Sequence, residues 1–311
     1  DQVSPEIGIT ATPVIDRSAG VIYLVAMSKD ASGNYHQRIH GLSLVSGAEI
    51  AGSPVDVQAT YPTSDGTTSF DPSQYKERPA LLLLDGVVYT SWSSHCDHSP
   101  YTGWLIGYHE QTLAQTTVLN IAPNSNGIGP SVWMAGGGLS VDSNGSIYLL
   151  AANGAFDTTL TTTGFPVGGD YGSSFLRLTL TNGALQVADY MALYNGAALE
   201  NSDLDLGSSD ALLLPDETDS TGAVRHLAVG AGKDGDLYVV DRDQMGKYNA
   251  TGNDIWQEID SVLPGGVFAT PAYFNNRVYY GDVQGTLKAF AISNARLSTT
   301  PVAQTPQTFG Y

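Results

Sequence analysis

The sequence predicts an all-β protein, a β-propeller of four-stranded blades, and three observations predict it. A unit of roughly 40–60 residues recurs along the chain, the sequence signature of a repeat architecture. Each unit holds two short apolar strands around a turn, then a third strand, then a turn containing Gly or Asn. The strands alternate apolar and polar side chains, and no stretch sustains the 3.6-residue apolar period of an amphipathic helix.

The units follow in order. The first opens at Thr12-Pro13-Val14-Ile15-Asp16 with Gly20-Val21-Ile22-Tyr23, and its third strand runs from Gln37 to Leu44. The second pairs Arg78-Pro79-Ala80-Leu81 with Gly86-Val87-Val88-Tyr89 and continues at Gly103 to Tyr108. The third pairs Gly138 to Asp142 with Gly145-Ser146-Ile147-Tyr148, then Ser174 to Leu178. In the fourth, a longer loop separates Ser209 to Leu213 from Ala228-Val229-Gly230, and Gly235 to Asp241 follows. The fifth pairs Thr270 to Tyr273 with Arg277 to Tyr280, followed by Gly285 to Phe290. Ser46-Gly47, Asn182-Gly183, Met245-Gly246 and Ser293-Asn294 supply residues that tolerate positive φ at strand reversals.

These units predict one domain over 1–311 with blades at about 8–58, 76–122, 132–192, 204–260 and 265–300. Ser4-Pro5-Glu6-Ile7-Gly8 leads straight into a strand, and Pro301 to Tyr311 reads as the opening of another blade. An arc of five blades with open edges exposes unpaired strands. Five blades can close a ring alone; the preferred expectation is a domain incomplete at both ends, with further blades on flanking sequence or on another chain.

Composition narrows the partners. With 13 Lys and Arg and a net charge of −18, a nucleic-acid partner is not expected. No apolar run is long enough to cross a bilayer. A start on Asp1 suggests a processed or truncated chain. Low Lys, abundant Thr, Ser, Asn and Gly, and the acidic balance suggest a secreted or periplasmic bacterial protein. The single Cys96 has no internal disulfide partner, which suggests a free thiol or a partner elsewhere.

Two spaced motifs in the fourth unit carry a resemblance. Asp203-Leu204-Asp205-Leu206-Gly207 is followed by Gly230-Ala231-Gly232-Lys233-Asp234-Gly235-Asp236-Leu237-Tyr238-Val239-Val240-Asp241-Arg242. This pair resembles a blade of the pyrroloquinoline quinone (PQQ)-type, quinoprotein dehydrogenase-like propellers. The resemblance implies a quinone stacked on a tryptophan in the central channel beside Ca²⁺, and oxidation of an alcohol or sugar. Position by position, it implies Trp133 as the stacking platform and Lys233 as the quinone contact. It implies Asp97, Asn153 and Asp170 as calcium ligands, with Asp170 also the catalytic base. The family's vicinal Cys-Cys pair is absent, and His98 falls near the place where the family shows a calcium-binding Glu.

The chemistry suits those residue types. A base must take the hydroxyl proton as hydride leaves the carbinol carbon, and Ca²⁺ prefers hard oxygen donors. Each residue also has an ordinary structural explanation: Asp170 capping a turn, Asn153-Gly154 as a turn pair, Lys233 as a solvated charge, Trp133 as a core aromatic. His95-Cys96-Asp97-His98 offers transition-metal donors, of which at most alternate members share an ion in an extended strand. The aspartates 203, 205 and 210, and 234, 236 and 241, suit turn amides or Ca²⁺ without EF-hand spacing. Asn144-Gly145-Ser146 and Asn249-Ala250-Thr251 match glycosylation sequons by pattern. The alternative function is a propeller without cofactor whose ring face holds a protein or glycan partner; fold alone does not separate the two.

Overall fold

Five antiparallel sheets follow one another along the chain in a computed structural model that describes residues 7–127, 129–134 and 137–310. Blade 1 orders its strands Val14–Asp16, Val21–Lys29, Tyr35–Ser43 and Val55–Asp56. In blade 2, Tyr75–Glu77 and Leu82–Leu84 both pair Val87–Ser94, followed by Trp104–His109 and Gln115–Asn120. Blade 3 comprises Ser140–Val141, Ile147–Leu150, Ser174–Thr181 and Ala184–Ala192. Blade 4 comprises Leu212–Leu213, Leu227–Ala231, Leu237–Asp241 and Gln257–Ile259. Blade 5 begins Ala272–Tyr273, Arg277–Gly281 and Thr286–Ser293. Among the described residues, helix is confined to Gly196–Glu200 and a 3-10 turn at Leu206–Ser208. No described helix is long and apolar enough to cross a membrane.

The turns are built by local chemistry. Asn182-Gly183 and Asp85-Gly86 take positive φ at both residues, the geometry of a two-residue hairpin whose twist matches its strands. Asn275-Asn276 and Asn294-Ala295 do the same in blade 5. In blade 3 the Asp142 carboxylate accepts the Asn144 and Ser146 amides at 2.9 Å, which fixes the Asn144-Gly145 turn. The long loop expected in the fourth unit folds as its own hairpin, Glu217–Thr218 with Val224–Arg225.

The outer edge of blade 5 differs from expectation. Arg296–Leu297 pairs only the end of Thr286–Ser293, at Ile292 and Ser293. The remaining edge, from Thr286 to Ala289, is taken by Ala303–Thr308. The segment read as opening another blade therefore completes this one, because half an unpaired edge was available to it. The expectation for Ser4 to Glu6 falls on residues outside those described.

Apolar side chains fill the space between successive blades. Tyr23, Val25 and Ile39 of blade 1 meet Trp92, Trp104 and Tyr108 of blade 2. Leu105 of blade 2 packs with Leu149 and Leu176 of blade 3. Phe175 and Tyr148 meet Tyr238 and Val240 across the next gap, and Val229 and Val239 meet Val278, Tyr280 and Phe290 across the last. Alternate residues of one blade-4 strand thus serve opposite cores, as period-two strands require. Each fully buried side chain of this size contributes roughly 1.5–3 kcal/mol.

This meander decides where a site can form. The connection from each second strand to its third, and the entry into each first strand, emerge on the same face. The opposite face carries the tight hairpins. Long, chemically varied loops therefore collect at one end of the array.

Candidate functional site at the blade face

A cleft of about 530 Å³ opens among these loops. Asp97, Asn153 and Lys233 line it, and each follows the second strand of its blade. Arg78, Trp133, Ser208 and Phe268 also line it, and each precedes a first strand. The four blades from the second to the fifth contribute. Four of the five residues singled out from sequence, Asp97, Trp133, Asn153 and Lys233, share this cleft.

Asp170 is not among the lining residues. Its carboxylate accepts the Asn124 amide at 2.8 Å, and the residue is 6% exposed. Burial pushes its pKa up, against the pull of the Asn124 amide. The separation has a simple origin. Asp170 lies at the far end of its loop, beside the third strand Ser174–Thr181, whereas Asn153 lies at the near end, beside the second.

The electrostatic centre of the cleft is an ion-paired triad. Lys233 Nζ contacts Asp205 Oδ2 and, at 3.0 Å, Asp203 Oδ2. The Asp205 side chain is 9% exposed, that of Asp203 79%. Asp205 also accepts the Asn153 amide at 3.1 Å, and its carbonyl accepts the Lys233 amide at 2.8 Å, so one residue ties blades 3 and 4 together. Burial raises the Asp205 pKa while Lys233 opposes it; burial also opposes the charge on Lys233, but the two carboxylates prevail and raise its pKa.

Two glycines make this approach possible. A Cβ on Gly232 would lie 2.2 Å from the Asp205 carbonyl oxygen, and one on Gly207 would lie 2.4 Å from the Ala152 nitrogen. Only glycine admits backbone that close. The motif glycines therefore have a packing reason, and the paired aspartates grip Lys233 rather than capping turns. Asp203 and Asp205, which by pattern suit turn amides or Ca²⁺, thus join the site, as does Arg78, which the motifs do not mark. Arg78 sets its guanidinium 5.0 Å from the Trp133 ring centroid, a cation–π pair.

A PQQ-type group with a calcium ion needs positive charge, a flat stacking surface and hard oxygen donors. Arg78 and Lys233 offer positive charge for an acidic quinone, and Trp133 offers a flat ring that such a group would share with Arg78. Asp97 and Asn153 offer oxygen donors, and the Asn153 side chain makes no hydrogen bond among the described residues. The residues fit such a group, with Asp170 supplying none of the donors.

His95, Cys96, Asp97 and His98 do not converge as a metal centre. His95 is buried, Cys96 is exposed with its Sγ 3.7 Å from His95 Nδ1, and Cys96 and Asp97 take positive φ. Among the described residues, the three-ligand carboxylate group is instead Asp236, Glu258 and Asp260. Asp142 holds the Asn144 turn, and Asn249 accepts the Thr251 amide at 3.1 Å, so both sequons sit in structured turns.

Comparison with solved structures places the fold among the β-propellers. The chain is similar to a quinohemoprotein alcohol dehydrogenase from Pseudomonas putida, with TM-score 0.58 and 14% identity over 94% of this chain and 54% of the other. A quinohemoprotein alcohol dehydrogenase from Comamonas testosteroni gives 0.51 and 14%, over 93% and 53%. A europium-containing methanol dehydrogenase gives 0.50 and 12%, over 97% and 69%. The chain spans about half the length of the two quinohemoprotein enzymes. The fold is that of a β-propeller. No protein-family model and no curated protein matches the sequence.

Proposed function

We propose that the cleft binds a PQQ-type quinone with Ca²⁺ and oxidises an alcohol or a sugar, in a secreted or periplasmic bacterial setting. The observation that carries this reading is the convergence of Asp97, Trp133, Asn153 and Lys233, from three different blades, on one cleft. When bound, the quinone accepts hydride and the ion polarises its carbonyl. Trp133 and Arg78 would orient such a flat group, Lys233 would supply positive charge to it, and Asp97 and Asn153 would hold the ion. The proton acceptor we assign is Asp205, in place of Asp170, which lies outside the cleft. Burial raises its proton affinity and Lys233 opposes that rise, the balance a general base needs.

The test is dye-linked oxidation of primary alcohols and aldoses by the full chain supplied with PQQ and Ca²⁺. Activity is expected, lowered by about 10²–10⁴-fold in Asp205→Asn and spared in Asp170→Asn. A well-folded chain with no turnover on any substrate would favour the non-catalytic reading, a propeller face that holds a protein or glycan.

A further inference from the structure

Between blades 1 and 2 the repeat carries an insertion, the hairpin Thr60–Thr63 with Gly66–Ser69. Its sequence, Thr60-Tyr61-Pro62-Thr63-Ser64-Asp65-Gly66-Thr67-Thr68-Ser69, holds six hydroxyl side chains besides the Tyr61 phenol. It belongs to neither blade's sheet, so the propeller does not need it for its ladders.

The hairpin is held firmly at both ends. At its base, Phe70 lies 4.8 Å from the ring centroids of both Tyr75 and Trp92 and 6.1 Å from that of Trp104. At its tip, the Ser64 amide donates to Asn124 Oδ1 at 2.6 Å. A groove of about 400 Å³ runs beneath it, within the size range of small-ligand sites. Thr63, Ser64, Thr67, Thr68 and Ser69 of the hairpin line it. Asn124, Asn126 and the half-buried Tyr101 also line it, together with Asp65, Asp71, Gln74 and Tyr75.

The chemistry of this lining is specific. It contains no Lys or Arg, so it offers nothing to neutralise an anion. Asp65 and Asp71 each engage one oxygen locally, with Thr63 at 2.9 Å and with Ser73 at 2.8 Å. The side chains of Thr67, Thr68 and Asn126 make no hydrogen bond among the described residues. Uncommitted hydroxyl and amide groups beside carboxylates and the rings of Tyr75 and Tyr101 match a ligand that is itself a dense array of hydroxyls with an apolar ring face.

We propose that this groove is a binding site for a neutral oligosaccharide. The proposal stands apart from the redox reading: it needs neither quinone nor calcium. Tyr101, which lines the groove, sets its hydroxyl 3.4 Å from Asp97 Oδ1 at the cleft.

The experiment titrates the full chain by calorimetry with cello-, manno-, xylo- and maltohexaose, with oligogalacturonate as an anionic and chitosan hexamer as a cationic counterpart. Saturable binding of at least one neutral hexaose is expected, weakened at least tenfold in Thr67→Ala/Thr68→Ala/Asn126→Ala. These side chains lie at the surface, so the variant's melting temperature should match the parent's. Lys233→Ala should leave sugar binding unchanged. No neutral sugar bound, a preference for either charged oligomer, or full binding in the triple variant would overturn the proposal.

Discussion

Lys233→Ala leaves the Asp205 carboxylate, only 9% exposed, without its cationic partner. Removing one member of a fully buried ion pair costs about 3–5 kcal/mol. Here Lys233 is itself 20% exposed and the Asn153 amide still serves Asp205, so the expected loss is at the low end, about 2–3 kcal/mol. Asp203→Ala removes the 79% exposed partner and should cost no more than about 1 kcal/mol. The pH dependence follows from the sign of the shift. Burial already holds Asp205 above the ordinary carboxyl range, and without Lys233 its folded pKa rises further. A group whose folded pKa exceeds its unfolded value favours folding at low pH and loses that contribution as pH rises through the folded pKa. Lys233→Ala should therefore lose more stability at pH 8 than at pH 5. Urea unfolding of the parent and both variants at the two pH values measures this. A Lys233→Ala loss no larger than that of Asp203→Ala, or one independent of pH, would refute the buried-pair reasoning.

Other consequences are as definite. Asp210, 1% exposed and contacted by the Thr270 hydroxyl, has its pKa pushed up to about 6 by burial. Its contribution is present below about pH 4 and lost as pH rises through about 6, at most ~3 kcal/mol for two pKa units. Asp210→Asn should flatten that part of the stability–pH curve; identical slopes in parent and variant would exclude it. Gly232→Ala forces a methyl group against the Asp205 carbonyl and should cost about 1–3 kcal/mol. A chemical-denaturation midpoint unchanged from the parent would show that the close approach is unimportant.

The strands and turns were legible because their signals are local. Asn182-Gly183 and Asp85-Gly86 announce hairpins by residue type alone, and the continuous apolar run from Leu237 to Val240 suits a strand packed on both faces. What sequence pattern conveys poorly is distance from the centre of the array. Asn153 and Asp170 flank one loop, and pattern assigns both to the same face. Only the order of strands in the sheet separates the near end of that loop from the far end. The partners of Lys233 were equally hidden, since Asp203 and Asp205 meet it across a gap of some thirty residues. The signal was nevertheless present in the two glycines, whose spacing beside an aspartate pair marks a close backbone crossing. The end of blade 5 misled for another reason: strand-like residues from 301 onward carry no indication of which edge they will join.

Titration of the purified chain with PQQ at fixed Ca²⁺, followed by quenching of tryptophan fluorescence and by calorimetry, tests the central claim most directly. The account predicts saturable uptake of one equivalent, strongly weakened in Trp133→Ala and in Lys233→Met, with both variants folded. Absence of uptake by the parent, or equal affinity in both variants, would contradict it.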